Sequence, residues 1–251
     1  MMRYLNLYAV FLSCVLCASA HAEKPPAVDV ALVLAVDVSY SMNQNEAEIQ
    51  RLGYIHALRN PDVIEAIQSG VTGQIALAYL EWAGPTDQRL LVNWRVVSDA
   101  ASARAFSDEL EGAPYKNGTT TSISAGIDYA VKMFTAIPVN PLRRVIDISG
   151  DGYSDYGRPV TAARDNAIKS GITINGLPVM NKRATWREQA PPDLDKYYAQ
   201  NVAGGRGSFT LVVRTLEEFD KTVLRKLVLE IASRDNADRG FASRAPDAAT
   251  R

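Results

Sequence analysis

The sequence predicts an α/β domain: a six-stranded, mostly parallel sheet with helices on both faces and one antiparallel edge strand. Three observations carry that prediction. Strand-like and helix-like segments alternate through residues 28–232, the pattern of a parallel sheet built from crossover units. The first strand, 28–38, holds a near-continuous apolar run at 31–36, which suits a strand buried on both faces. Two later strands, 73–82 and 88–97, are joined only by the turn Gly84-Pro85-Thr86-Asp87. That link is too short for a helical crossover, so the pair forms an antiparallel hairpin.

The start of the chain lies outside this pattern. Arg3, an apolar core at 5–16 and Ala20-His21-Ala22 together read as a secretory signal over residues 1–22. The apolar core is short for a membrane span, so the expectation is an exported chain, periplasmic or secreted, with no stable membrane insertion. Cys14 and Cys17 both fall in this segment. The rest of the chain therefore has no disulfide framework and no thiol chemistry. One large domain over 23–234 can be held by its apolar core alone. Residues 235–251 read as a polar, Ala-rich flexible tail. Residues 23–251 carry 26 basic and 28 acidic side chains, a balance that leaves no electrostatic footprint for nucleic acid.

In chain order, 43–60 reads as a helix with Ile49, Leu52, Gly53 and His56 at i, i+3, i+4 and i+7. This spacing puts His56 on the buried face as a core histidine. Asn60-Pro61 caps and starts a second helix. Ser98-Asp99 caps a third, to about Leu110. Residues 112–120 form a loop rich in Gly, Asn and Thr. A helix starts at Thr121, carries Ile123, Ile127, Ala130, Val131 and Phe134, and is ended by Pro138 and Pro141. The buried strand 144–149 runs into Gly150-Asp151-Gly152. A helix over 159–170 ends at Gly171, and 172–179 is the fifth strand. Residues 181–192 are a polar insertion with Trp186 beside Arg187, an arrangement open to partner contact or to packing on the sheet rim. A short helix at 193–202, a sixth strand at 208–214, a capping box over Thr215 to Glu218 and a last helix to about Ser233 complete the domain.

Three segments deliver oxygen donors to strand ends. Asp37-Val38-Ser39-Tyr40-Ser41 follows the first strand, Thr119-Thr120-Thr121-Ser122 opens a helix, and Asp151 follows the fourth strand. In open α/β sheets ligands bind at the C-terminal ends of the strands, where the connections diverge. Carboxylate and hydroxyl oxygens suit Mg²⁺, with Mn²⁺ or Ca²⁺ as alternatives, rather than Zn²⁺. Taken alone, Asp-x-Ser-x-Ser is equally a Ser-rich turn capping a helix; three segments in this order make the stronger case. Asp147, inside the buried strand, reads as structural, and Asp155 as a solvated loop acid. Trp82 and Trp94 read as packing residues, and Tyr40 as a residue at the rim of the site.

On these residues the chain resembles the von Willebrand factor A domain, whose metal-ion-dependent adhesion site is written Asp-x-Ser-x-Ser, a distant Thr, and a distant Asp before Gly. The resemblance covers residues 28–232 and implies a three-layer, Rossmann-like fold. It implies a site of Asp37, Ser39, Ser41, Thr121 and Asp151, with Thr120 as the alternative threonine. The sequence departs from the family's Thr-Asp-Gly by an extra glycine, Ser149-Gly150-Asp151-Gly152. More narrowly, the strand Ile-Asp-Ile-Ser-Gly-Asp-Gly resembles a bacterial group of secreted domains, DUF1194-like. Hydroxyls bind Mg²⁺ without adding charge, and the two Asp side chains can hold its waters. One position is left for an outside ligand. The resemblance implies that a protein partner fills it with an acidic side chain. The competing readings are a metal-assisted phosphoesterase and a structural domain with a degenerate site. Against an enzyme, there is no general base beyond the acids of the site and no Gly-rich phosphate loop followed by Lys. His56 stands without a second His or a Cys, which disfavours a zinc site or a Ser-His-Asp triad.

Overall fold

The first strand, β1 (Ala27–Asp37), is buried at every position after Ala27, as its unbroken apolar run requires. The computed structural model describes residues 24–42, 44–180 and 190–232. After β1 come α1 (Gln44–Leu58), α2 (Pro61–Gln68), β2 (Ile75–Trp82), β3 (Gln88–Val97), α3 (Ala100–Glu111), α4 (Ile123–Met133) and β4 (Asn140–Gly150). Then follow α5 (Val160–Lys169), β5 (Ile172–Pro178), the single turn α6 (Leu194–Tyr197) and α7 (Phe219–Ile231). The sheet runs β3-β2-β1-β4-β5. β1 pairs in parallel with β2 and β4, β4 with β5, and only β3 is antiparallel, to β2.

Successive side chains of β1 go to opposite faces of the sheet. Val30, Leu32, Leu34 and Val36 enter one layer with Tyr54 of α1, Phe106 of α3, and Phe219 and Leu227 of α7. Ala31, Val33 and Ala35 enter the other layer with Ile123 and Ile127 of α4, Ala163 of α5 and Tyr198. The helix starts follow local chemistry. The Asn60 side chain accepts the Asp62 N–H at 2.9 Å, with Pro61 opening the helix. Asp99 and Ser102 cap α3 reciprocally. Gly171 closes α5 at φ +73°, a conformation that only glycine adopts without strain.

The sheet has five strands, not six. Residues 208–214 run along β5 but join it only through single bridges at Gly176–Thr210 and Val179–Val213. Gly176 N–H bonds to Phe209 O, and Met180 N–H to Val213 O. The donor that would complete the ladder between them belongs to Pro178, which has no N–H. β4 begins at Asn140, earlier than the sequence predicts, and includes Pro141. The proline is tolerated because β5 first pairs at Arg144, so Pro141 has a neighbour on one side only. His56 is not a core residue: it is exposed and pairs with Asp220 of α7 at 2.9 Å. The buried face of α1 is turned by about one residue, to Ala47, Gln50, Gly53, Tyr54 and Ala57. Thr215 makes no cap bond and leads into the short turn Leu216–Glu218. The predicted signal, tail and Trp186 lie outside the described residues.

One polar knot interrupts the layer under α7. Asp147 of β4 and Lys226 and Glu230 of α7 are all buried, with Lys226 Nζ 2.6 Å from Asp147 Oδ1 and 2.5 Å from Glu230 Oε1. Tyr54 OH donates to Asp147 Oδ2 at 3.3 Å, and Asn175 Nδ2 to Glu230 Oε1 at 2.9 Å. Asp147 is thus structural, as its place inside the strand suggested. Burial, then the Asp147 charge, push Glu230 up to about 7.

Candidate metal centre

β1 and β4 stay paired as far as Val36–Ser149, so their C-terminal ends emerge together. Val38 N–H still bonds to Trp82 O of β2, and the chain then turns, closed by Met42 N–H to Ser39 O at 2.9 Å. At the turn, Asp37 Oδ1 accepts the Ser39 N–H at 2.7 Å, the local bond that aspartate forms in turns. Ser39 Oγ and Ser41 Oγ lie 3.3 Å apart, and Ser41 Oγ donates to Asp151 Oδ1 at 2.6 Å. Four of the five predicted residues, Asp37, Ser39, Ser41 and Asp151, therefore share one cluster. Asp37, Ser39 and Asp151 are buried.

Thr121 is positioned separately, through its backbone. Its N–H donates to Asp155 Oδ1 at 3.0 Å, and its carbonyl accepts the N–H groups of Asp155 and Tyr156. The next residue, Ser122, bonds through its N–H to Ala83 O at 2.8 Å, just past β2. Thr121 is held between the ends of β2 and β4 and is 9% exposed. Thr120 instead packs its Oγ1 against Gly84 of the hairpin turn. Asp155, expected as a solvated loop acid, is exposed but fastens this loop. Tyr40 projects outward at 81% exposure. Trp82 is fully buried, and Trp94 packs on Phe134 and donates to Met133 O, as expected of packing residues.

The extra glycine has a steric reason. A Cβ at Gly150 would stand 2.7 Å from Asp37 Oδ2 and 2.7 Å from Tyr198 OH, closer than side-chain atoms approach. Gly150 lets the Asp37 carboxylate lie against the end of β4. Gly150→Ala is expected to displace Asp37 and to cost about 1–3 kcal/mol as overpacking; denaturant unfolding together with a Mn²⁺ titration would read both effects.

The electrostatics of the cluster favour a cation. Burial, then the nearby Asp151 charge, raise Asp37 to about 8, against hydrogen bonds from Ser39 and the Asp151 backbone that favour its ionised form. Asp37 Oδ2 is buried with no hydrogen-bond partner, an arrangement that costs free energy unless something positive or protic meets it. Among the described residues no three His, Cys, Asp or Glu side chains converge. A cation at this face would be met by two carboxylates and by hydroxyls, a donor set that fits Mg²⁺ or a similar hard ion.

A second group supports the face and escapes a reading of the sequence alone. Glu81, an acid inside the apolar strand β2, is 2% exposed and pairs with Arg51 at 2.5 Å and with Arg89. Arg51 donates on to Ala113 O and Pro114 O, and Arg89 to Lys116 O. One buried carboxylate thus aims two arginines at the loop that leads to Thr121. The only signal for it in the sequence is an acid out of pattern in IALAYLEW. Glu81→Gln would leave two arginines facing no charge, with an expected loss of about 3 kcal/mol, measured by urea unfolding.

A protein family described as "Protein of unknown function (DUF1194)" matches residues 27–235. No protein with a curated description matches the chain. Solved structures share the fold. Proximal thread matrix protein 1 from the mussel byssus, solved with its MIDAS motif occupied by zinc, is 15% identical with a TM-score of 0.55, over 82% of this chain and 46% of that one. A von Willebrand factor type A protein from Catenulispora acidiphila is 12% identical with a TM-score of 0.56, over 81% and 43%. The conserved hypothetical protein BatB from Bacteroides thetaiotaomicron is 18% identical with a TM-score of 0.50, over 80% and 98%. The chain spans less than half the length of the first two. At these identities the likeness establishes the fold, a von Willebrand factor A-like domain. Among the described residues no helix is long and apolar enough to cross a membrane.

Proposed function

The chain belongs to the DUF1194 family, and we propose that its domain is a metal-dependent docking module that meets a protein partner at the strand ends. The cation is Mg²⁺ by the hardness of its donors, held by Asp37, Ser39, Ser41, Thr121 and Asp151. One observation carries this reading: the buried Asp37 oxygen without a partner, set among the Ser39 and Ser41 hydroxyls and Asp151. Choosing Thr121 over Thr120 is supported by the packing of Thr120 against the hairpin turn. When bound, the cation supplies a Lewis-acidic position for a carboxylate of the partner. The chain's own residues do the rest. Ser41 orients Asp151, Ser39 fixes Asp37, and the Arg51–Glu81–Arg89 group fixes the loop that leads to Thr121 in advance, so that little ordering cost falls on docking. The module acts after export, as the apolar N-terminal segment suggests, and its role is binding rather than turnover.

Isothermal titration of the purified chain with Mg²⁺ and Mn²⁺, beside Asp151→Ala, tests the cation. Saturable binding lost in the variant is expected, and equal weak binding by both proteins would refute the site. Affinity capture from native envelope material, with Mg²⁺ or with EDTA, tests the partner. A partner retained equally in EDTA would remove the metal from the interface.

A further inference from the structure

The knot of Lys226, Asp147 and Glu230 lies on the opposite face of the sheet from α4, behind the strand β4 that leads into Asp151, and the docking function leaves it unused. Its geometry is unusual for a structural ion pair. Lys226 Nζ sits 2.6 Å from Asp147 Oδ1, yet Asp147 Oδ1 has no hydrogen-bond partner; the contact lacks the angles of a hydrogen bond. The second carboxylate, Glu230, reaches the same Nζ at 2.5 Å through Oε1, while its Oε2 has no partner. The three side chains are 0–1% exposed. The Phe209 ring lies 5.5 Å from Nζ, and Tyr54 and Asn175 fill the remaining polar contacts. An amine, a carboxyl carbon and a spare carboxylate are thus enclosed together.

We propose that Lys226 and Asp147 condense spontaneously into an intramolecular isopeptide bond, with Glu230 as the proton-transferring catalytic residue. In a site this dry, moving one proton from the ammonium to the Asp147 carboxylate replaces two buried charges by two neutral groups, which burial favours. A desolvated, neutral lysine is a competent nucleophile. Its lone pair attacks Cγ of Asp147, and the new Nζ–Cγ bond gives a tetrahedral centre. Glu230 accepts a proton from Nζ and returns it to the departing hydroxyl. The Cγ–O bond breaks, one water leaves, and Glu230 regains its starting state. An ammonium and a carboxylate become an amide and water, with no oxidant or reductant. Enclosure supplies what two such groups lack in solution, a fixed encounter at contact distance. Burial is the largest influence that raises Glu230, to about 7, where it can both take and give a proton near neutral pH. The product would tie β4 to α7 covalently in a chain whose two cysteines both lie in its first 22 residues.

Mass spectrometry of the purified full chain, denatured and digested with trypsin, tests this directly. The intact chain should be lighter by one water. Trypsin should fail to cut after Lys226 and should release one branched product joining residues 145–164 to 226–234. Unlinked 145–164 peptide with complete cleavage after Lys226 would overturn the proposal. So would a water loss that maps to any other pair. In Glu230→Gln, with a folded far-UV spectrum as control, the two peptides should be recovered unlinked. A linked product in that variant would remove Glu230 from the chemistry.

Discussion

Asp37→Asn is expected to raise the melting temperature of the metal-free domain and to abolish the further rise that Mg²⁺ or Mn²⁺ adds. The wild-type carboxyl is raised to about 8 when folded, from 3.8 as its ordinary value. Between those two values the folded chain holds a proton that the unfolded chain has released. The stability this group contributes is therefore full below the lower value and is lost as pH rises toward the upper one. At neutral pH the cost is on the order of 4 kcal/mol. Asn keeps the shape and removes that cost, for a gain of roughly 10 °C in a domain of this size. Calorimetry in EDTA across the range from about pH 5 to about pH 8 would show the variant declining less steeply than the wild type, with the remaining slope set by other buried acids such as Glu230. An unchanged melting temperature with the same pH slope would contradict the electrostatic account. The same substitution is expected to weaken the cation by about 100-fold or more, since an anionic holder is lost. A residue that costs stability and is needed for binding is the usual mark of a functional position.

Lys226→Met is expected to be the most damaging change outside the site. It removes the amine that joins Asp147 and leaves two acids, Asp147 and Glu230, buried with nothing positive facing them, at a cost of about 3–5 kcal/mol. The sign of its pH dependence follows from the carboxyls. Burial and Asp147 already raise Glu230 to about 7, and burial raises Asp147 despite Lys226. With Lys226 gone, the two acids face each other uncompensated and both are raised further. Their protonated forms carry no desolvation penalty, so the deficit should shrink as pH falls and grow as pH rises through neutrality. Urea midpoints at about pH 5 and about pH 8 measure it. An equal deficit at both would mean that lost packing, not charge, sets the effect.

Much of the fold is legible from local chemistry, because the features that decide it are short in range. The apolar run of β1, the hairpin turn at Gly84-Pro85, the Asn60-Pro61 start and the Gly171 stop each act over a few residues, and each sits where its pattern indicates. What escaped depends on distant neighbours. Residues 208–214 have the composition of a strand, and only the missing N–H of Pro178, in another element, denies them a ladder. His56 follows a plausible apolar spacing, but the bulk of Phe219 against Gly53 sets the roll of α1. Lys226 and Glu230 look like an ordinary exposed i, i+4 pair on a helix until β4 brings Asp147 beneath them. In the site, Asp37, Ser39, Ser41 and Asp151 stand out by motif. The Arg51–Glu81–Arg89 support has no motif, because its logic is one buried charge shared by three elements.

The strand order carries a consequence for how the site comes into being. β1 is the central strand, flanked by β2 and by β4, and β4 begins at Asn140. Asp37, Ser39 and Ser41 are therefore present early in the chain but acquire their partner Asp151 only when a strand more than 100 residues later inserts beside them. Contacts of such long range close late in folding, after the local helices and the hairpin. On the proposed reading, a cation would recognise the finished arrangement of these strand ends rather than template it. A chain halted before residue 140 would carry three of the oxygens and the Thr121 loop, and it would have no centre at all.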